Sequence, residues 1–241
     1  MRLGSLARLR LTLIRRPHGH GGRGWIIGGE RDLHVAEGHI VGTAIAEVRG
    51  SASSILTGER VTLNMLQRMC GIATLTQEYV RQVKGTKARV ADTRKTVPGL
   101  RVLDKYAVAC GGGSNHRMGL FDAILIKNNH LAFHESITAA VRKARDHAGA
   151  QVQIEVEVPG PEHVEEAILG GANIILLDNF SVEQTREAVR LCGGRLPLES
   201  SGGITLETIR DYAEAGVDII SVGALTHSPP AADIHLQVTP E

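Results

Sequence analysis

After Gly85 the chain repeats one pattern: a short apolar run, a polar loop, then an amphipathic stretch. The apolar runs fall at 88–91, 123–126, 152–156, 174–177, 196–198 and 219–222. Stretches with helical periodicity lie between them, at 102–110, 135–147, 161–169, 182–191 and 206–215. Strands that alternate with helices specify a parallel sheet joined by right-handed crossovers. Six strands fall short of the eight of a closed barrel. The expected class is therefore α/β, an open, incomplete parallel α/β barrel. No G-x-G-x-x-G comes after the first of these strands and no Walker sequence occurs, which removes the nucleotide-binding folds that depend on them.

The front of the chain reads differently. Residues 43–49 alternate as a strand, 50–54 form a turn of small residues, and Thr57 is placed to cap a helix from about 59 to 83. Before that, Arg2, Arg8, Arg10, Arg15, Arg16 and Arg23 all precede the first acid, Glu30. Residues 1–30 are read as an atypical, Arg-rich, disordered segment. Two origins stand open: an organellar leader, or unrelated sequence joined to the frame. The His/Gly run at 18–22 reads as a surface loop in preference to a metal tract.

Composition narrows the function classes. Lys and Arg total 27 against 26 Asp and Glu, so the basic excess of a general nucleic-acid binder is missing. Aromatics make up 3% of residues, too few for a base-stacking platform. No apolar run reaches membrane-spanning length. Cys70, Cys110 and Cys192 lack metal-ligand spacing and sit among apolar neighbours, as small buried hydrophobes of a reducing compartment do. The expected location is cytoplasmic, with no nucleic-acid or membrane partner.

The residues just past each strand carry the chemistry. In parallel α/β barrels the loops at the C-terminal strand ends build the active site. Here those positions hold Asp92-Thr93-Arg94-Lys95-Thr96, Lys127-Asn128-Asn129-His130, Glu157, Asp178-Asn179, Glu199-Ser200-Ser201-Gly202-Gly203 and Gly223-Ala224-Leu225-Thr226-His227. Six polar endings in register are hard to explain as solvated surface. The loop Gly111–Arg117 precedes the second strand, so only folding back would bring His116 and Arg117 to the same rim. Arg94, Lys95, His116, Arg117 and Lys127 form a potential anion cage. Glu157 and Asp178 suit ribose hydroxyls, or a magnesium ion reached through water. The Ser201-Gly202-Gly203 and Val222-Gly223-Ala224 loops stand where barrels hold a phosphate on backbone N–H groups. The ligand set is a sugar phosphate, further anionic groups and Mg²⁺: a phosphorylated sugar donor and an acidic acceptor.

Glu59-Arg60-Val-Thr-Leu-Asn64, Asp92-Thr-Arg-Lys-Thr-Val-Pro-Gly-Leu100, Lys105-Tyr-Ala-Val108, Gly111-Gly-Gly-Ser-Asn-His-Arg117, Leu176-Leu-Asp-Asn-Phe180, Glu199-Ser-Ser-Gly-Gly203 and Val222-Gly-Ala-Leu-Thr-His227 occur in order. Together they resemble the quinolinate phosphoribosyltransferase family over about residues 36–236. The resemblance implies an N-terminal α/β sandwich domain and an open α/β barrel. Residues 31–84 would be a truncated or atypical remnant of the sandwich domain with its long helix, and 85–241 the catalytic barrel. The expectation at the front is an incomplete gene product. The implied reaction joins quinolinate and 5-phosphoribosyl 1-pyrophosphate into nicotinate mononucleotide, pyrophosphate and carbon dioxide, in de novo NAD synthesis.

The resemblance also implies roles. Arg60 would enter the other subunit's site of a homodimer. Arg94, His116, Arg117 and Lys127 would hold the two quinolinate carboxylates, beside Thr93. Lys95 would serve the pyrophosphate. Glu157 and Asp178 would take the ribose hydroxyls and help to place Mg²⁺. Ser201, Gly202, Gly203, Val222, Gly223 and Ala224 would bind the 5-phosphate. Asn128 departs from the Asp usual in Lys-Asp-Asn-His.

Blander readings stand beside these. Arg60 is equally a surface residue of a first helical turn. His116 is equally a brace for its loop, and His130 and His227 read as structural. The rival functions are a catalytically impaired remnant, a pyrophosphorylase-like protein associated with molybdate transport, and an aldolase or isomerase using Lys127.

Overall fold

A computed structural model describes residues 6–15 and 44–240; of 6–15, 44, 45, 47, 49 and 238–240 it describes the backbone alone. The His18–Gly22 run lies outside the described residues. Two compact units divide the chain.

The larger unit takes residues 78–101 and 113–223. Its strands are β3 (Arg89–Ala91), β4 (Ile124–Ile126), β5 (Ile154–Glu157), β6 (Ile174–Asp178), β7 (Leu198–Ser201) and β8 (Ile219–Ser221). They form one parallel sheet in the order β3-β8-β7-β6-β5-β4. The last strand returns to the first, so the barrel is open between β3 and β4. A backbone edge at that seam would be left unpaired, which buried backbone does not tolerate. The loop after Gly113 folds back to fill it. Ser114 N–H donates to Val90 O at 2.8 Å, and Ser114 O accepts from Asp92 N–H at 3.1 Å.

Strand alternation sorts the side chains. Ile154, Val156, Ile175, Leu177 and Ile220 are fully buried. Each such side chain contributes about 1.5–3 kcal/mol of apolar burial. The intervening positions, Glu155, Glu157, Leu176, Asp178 and Glu199, turn to the other face of the sheet. The helices between the strands are short. They are α3 (Asn128–Leu131), α4 (Ile137–Ala148), α5 (Val164–Gly170), α6 (Val182–Cys192) and α7 (Ile209–Ala215). Ser181 and Gln184 form a capping box at the start of α6.

Three boundaries move from their expected places. The helix expected at 161–169 splits into a 3₁₀ turn at Pro161–His163 followed by α5. The run expected at 196–198 becomes a strand only from Leu198. Pro197 has no N–H to give, although its carbonyl accepts from Ile175 at 3.1 Å. The helix expected from 206 begins at Ile209, because Thr208 Oγ1 accepts the Thr205 N–H and holds a turn first.

The smaller unit takes the described residues up to Gln77, Val102–Gly112 and those from Ala224 on. Its sheet is antiparallel, in the order β2-β1-β9, from β1 (Leu6–Arg15), β2 (Ala44–Ser51) and β9 (Asp233–Pro240). β1 falls inside the segment expected to be disordered. The helix α1 (Ala52–Gln82) starts before Thr57, whose Oγ1 donates to Ser53 O at 2.8 Å. Thr57 is thus inside the helix and caps nothing. Leu63 and Cys70 of α1 pack with Ala232 and Ile234, and with Leu66 and Leu236 beside them. Burial, with Cys110 nearby, pushes the Cys70 thiol up to about 12, so it acts as a hydrophobe. The helix α2 (Arg101–Cys110) gives this unit Asp104, a fully buried carboxylate that takes two hydrogen bonds from Arg68, at 2.8 and 2.7 Å.

Gly71 marks the closest approach in this unit. A Cβ there would lie 2.0 Å from the carbonyl oxygen of Pro230. Alanine favours a helix over glycine by about 1 kcal/mol, but the facing atom is backbone and cannot swing away. Gly71→Ala is expected to destabilise the fold by about 2 kcal/mol net. Urea unfolding checks this: the midpoint should fall with an unchanged slope, and an unchanged midpoint would show that the contact yields freely.

Candidate active site

Parallel strands and the loop at the seam bring ten of the polar and charged positions to one cavity. It has a volume of about 180 Å³ and lies within the larger unit. Thr93, Arg94 and Lys95 come after β3, Lys127 comes after β4, and Asp178 and Ser201 end β6 and β7. His116 and Arg117 reach it from the seam, and Ser221 and Glu199 complete the polar wall. Arg94, Lys95, His116, Arg117 and Lys127, the residues expected to form an anion cage, therefore line one cavity.

Local chemistry fixes each member. Asp92 is fully buried, and its Oδ1 accepts the His116 N–H at 2.9 Å. Arg101, unremarked in the sequence, fastens two rim loops. It donates to Thr96 Oγ1 at 3.0 Å, to Met118 O at 3.0 Å and to Arg94 O at 3.2 Å. Arg117 Nη1 donates to Ala123 O at 3.1 Å. Burial, and then the charge of Arg94 beside it, lowers the Arg117 pKa. Two guanidiniums near enough to repel favour an anion on the cavity wall that they share.

On the carboxylate side, Glu157 is held above the usual range, first by burial and then by the charge of Asp178. Asn128 Nδ2 donates to Glu157 Oε1 at 2.5 Å, and Asn179 Nδ2 to Asp178 Oδ2 at 3.1 Å. Asn128 thus supplies a donor where an aspartate would add a third negative charge. Two mutually repelling carboxylates are a fitting oxygen donor set for a hard divalent cation. The Ser201 loop then turns tightly. Gly202 has φ +93°, and a Cβ there would lie 2.2 Å from Asn179 Oδ1, so only glycine fits. Gly203, also at positive φ, is exposed, and Val222 is buried, its N–H donated to Ala91 O. Gly223 is half-buried beside Val222. Arg60 is exposed on α1 and, like Ala224, belongs to the other unit. His130 serves its own loop, its Nδ1 accepting the Lys127 N–H at 2.8 Å.

A second cavity, about 250 Å³, lies toward the N-terminal strand ends of the same barrel. His116, Arg117 and Glu199 line both cavities, and Arg89 and Glu155 line the second alone. His116 Nε2 lies 3.0 Å from Glu155 Oε2 and 3.4 Å from Glu199 Oε1. Both carboxylates are buried, 4% and 2% exposed, and Glu155 Oε1 and Glu199 Oε2 have no hydrogen-bond partner. These are the site residues that sequence reasoning missed as a cluster. The signal was the alternation Ile154-Glu155-Val156-Glu157, which puts two acids on one face of an interior strand.

The trio has the composition of a metal site, its ligand atoms within 4.8 Å of one another. Its protonation points elsewhere. The Arg117 backbone N–H donates to His116 Nδ1 at 2.8 Å, so Nδ1 keeps its lone pair and Nε2 carries the proton. Nε2 is then a donor to the carboxylates, not a metal ligand. Burial lowers the proton affinity of the ring, but hydrogen bonds to Glu155 and Glu199 outweigh it and pull the pKa up to about 10. Burial likewise raises Glu155. With Nδ1 taking the Arg117 N–H, the proton that the ring attracts is shared with Glu155 across the 3.0 Å contact.

The sequence and the fold match known proteins. The family model for the quinolinate phosphoribosyl transferase C-terminal domain matches residues 72–237, and that for the N-terminal domain matches 28–70. A probable nicotinate-nucleotide pyrophosphorylase (carboxylating) of Bacillus subtilis is 48% identical over 209 residues, covering 86% of this chain and 72% of that protein. The nicotinate-nucleotide pyrophosphorylase (carboxylating) of Mycobacterium leprae is 48% identical over 200 residues, with 82% and 70% covered. The crystal structure of NadC from Streptococcus pyogenes superposes with a TM-score of 0.89 at 34% identity, covering 100% of this chain and 89% of that one.

Removing the imidazole tests the cluster. In His116→Ala the buried Glu155 loses its donor and keeps the charge of Glu199 beside it, so its folded-state pKa, already raised by burial, rises further. A raised carboxylate pKa stabilises below the unfolded value and loses that contribution as pH rises through the folded one. His116's own raised value contributes in full below the unfolded histidine value and fades above it, so the Tm deficit of His116→Ala is expected to be smallest near pH 4–5 and to widen up to about pH 6.5. A pH-independent deficit in a thermal melt series would contradict the arrangement.

Proposed function

The chain belongs to the quinolinate phosphoribosyltransferase family, and on that premise we propose how its own residues carry the reaction. The enzyme transfers phosphoribose from 5-phosphoribosyl 1-pyrophosphate to quinolinate with loss of carbon dioxide, in de novo NAD synthesis. The observation that supports the reading best is that Arg94, Arg117, Lys95 and Lys127 line one cavity, with Asp178 in the same lining. Such a cavity suits a dicarboxylate and a polyphosphorylated sugar together.

Arg94, Arg117 and Lys127 hold the two quinolinate carboxylates, with Thr93 on the same wall. Pinning both aims the ring nitrogen at the anomeric carbon, a proximity effect. His116 serves by position, since both of its ring nitrogens are engaged. It fixes the backbone from which Arg117 extends. Lys95, exposed at the rim, neutralises charge on the departing pyrophosphate. Glu157 and Asp178 take the ribose hydroxyls and would hold Mg²⁺ through water. When bound, that ion would supply charge neutralisation at the leaving group. The Ser201-Gly202-Gly203 turn and Gly223 take the 5-phosphate on backbone N–H groups; the N–H of Val222 is committed to Ala91 O, and Ala224 belongs to the other unit. A second copy of the chain completes the site with Arg60.

No helix among the described residues is long and apolar enough to cross a membrane. Cytoplasmic residence is part of the same proposal.

A coupled assay decides the reading. With quinolinate, phosphoribosyl pyrophosphate and Mg²⁺, nicotinate mononucleotide and carbon dioxide should form in equal amounts. A folded protein that binds both substrates and yields neither product would overturn it. Within that assay Arg117→Ala should raise the quinolinate KM at least about tenfold, the loss of one desolvated charge-assisted contact. The donor KM should shift far less. Equal losses in the two titrations would remove Arg117 from the carboxylate site.

A further inference from the structure

Loss of carbon dioxide leaves the substrate short of one proton, and the anion cage does not supply it. The C2–carboxylate bond breaks with its electron pair left on C2, and that carbon must take up a proton. This step rests on the quinolinate reading above. Lys95 and Lys127 are exposed cations at the rim, where the anionic groups of the substrates need their charge. Asp178 accepts from Asn179 and faces the proposed ribose side. Glu199 differs from all of these. It comes from the interior of β7, is 2% exposed, and lines both the substrate cavity and the cavity beneath it.

We propose that Glu199 is the acid that protonates C2 as carbon dioxide leaves, and that it is reloaded from the lower cavity. Its two oxygens have different surroundings. Oε1 faces the His116 Nε2–H at 3.4 Å, and Oε2 has no partner. An oxygen that no donor engages is free to bear a proton and to pass it on. The lower cavity, with about 250 Å³ and polar walls at Arg89, Gln153 and Glu155, has room for water.

The balance is simple. Glu199 gives its proton to C2, a C–H bond forms, and Glu199 becomes a carboxylate. His116, held by Glu155, donates a hydrogen bond to that new charge at once. Water in the lower cavity then returns one proton to Glu199, so each turnover consumes one solvent proton. The barrel thus separates the reactants entering at one end from the proton entering at the other. Burial of the acid also keeps water away from the reacting carbon.

Rapid-quench kinetics of the full chain test this, with pyrophosphate and carbon dioxide followed separately. In Glu199→Gln, pyrophosphate release in the first turnover should stay within about threefold of the parent. Carbon dioxide release should fall at least about tenfold, the lower range for loss of a general acid. The undecarboxylated mononucleotide should accumulate. A purely structural role would slow both releases together, and that result, or no change in either, overturns the proposal. The parent enzyme gives a second reading that needs no variant. Its carbon dioxide step should slow at least about twofold in D₂O while pyrophosphate release does not, as proton transfer in the transition state requires. Absence of a solvent effect on that step likewise overturns it. A parent that forms no pyrophosphate from quinolinate would instead overturn the substrate assignment.

Discussion

The unpaired seam between β3 and β4 governs the rest of the larger unit. Two consecutive parallel strands stand at the free edges of their sheet, so backbone donors and acceptors along β3 need another partner. The chain after Gly113 provides it through Ser114, and Asp92 then takes the next N–H, that of His116. Once those bonds are made, His116 and Arg117 have nowhere to go but the barrel interior. A closed eight-stranded barrel fills this space with packed branched side chains. Here the missing strands leave room for two cavities and a histidine between them.

Charge is arranged along the barrel axis as a consequence. Glu155 and Glu199 form an acidic layer at mid-depth, buried and only partly satisfied. Arg94, Arg117, Lys95 and Lys127 make the mouth basic. Each layer is unfavourable alone. Buried carboxylates lose hydration, and adjacent guanidiniums repel. His116 ties the two together, since its ring donates to the acids while its Nδ1 takes the N–H of Arg117. The remaining repulsion at the mouth is relieved only by an anion. The protein holds its binding site in a state that its ligand improves.

Much of this was legible in the sequence, for identifiable reasons. The alternation of short apolar runs with amphipathic stretches gave the parallel sheet, because hydrophobic period depends only on local geometry. Polar residues at strand ends could be read as one rim, because parallel strands all point their C-terminal ends the same way. Boundaries near Pro197, Thr205 and Thr57 moved, because a missing N–H or a hydroxyl bonded to backbone outweighs the apolar pattern. β1 was hidden for another reason. The run of arginines obscures a strand pattern in which Arg8, Arg10 and Thr12 alternate with Leu9, Leu11 and Leu13. The partners of β1 are the distant β2 and β9, and such pairing is not written in local sequence.

The least legible part was depth. On β5 the two inward acids are Glu155 and Glu157, and on β7 the inward pair is Glu199 and Ser201. Sequence reasoning gave the second member of each pair a role at the rim, counted Glu199 among the strand-end residues without a role, and passed over Glu155. Yet two residues along a strand move a side chain by about 7 Å, the difference between the mouth of a barrel and its middle. The first member therefore enters an environment with less water, and its chemistry changes from binding ions to handling protons. Strand alternation in a barrel with an open core specifies two functional layers, one stacked on the other. His116, which arrives through the seam and not on a strand, touches both, and Arg117 beside it lines both cavities too.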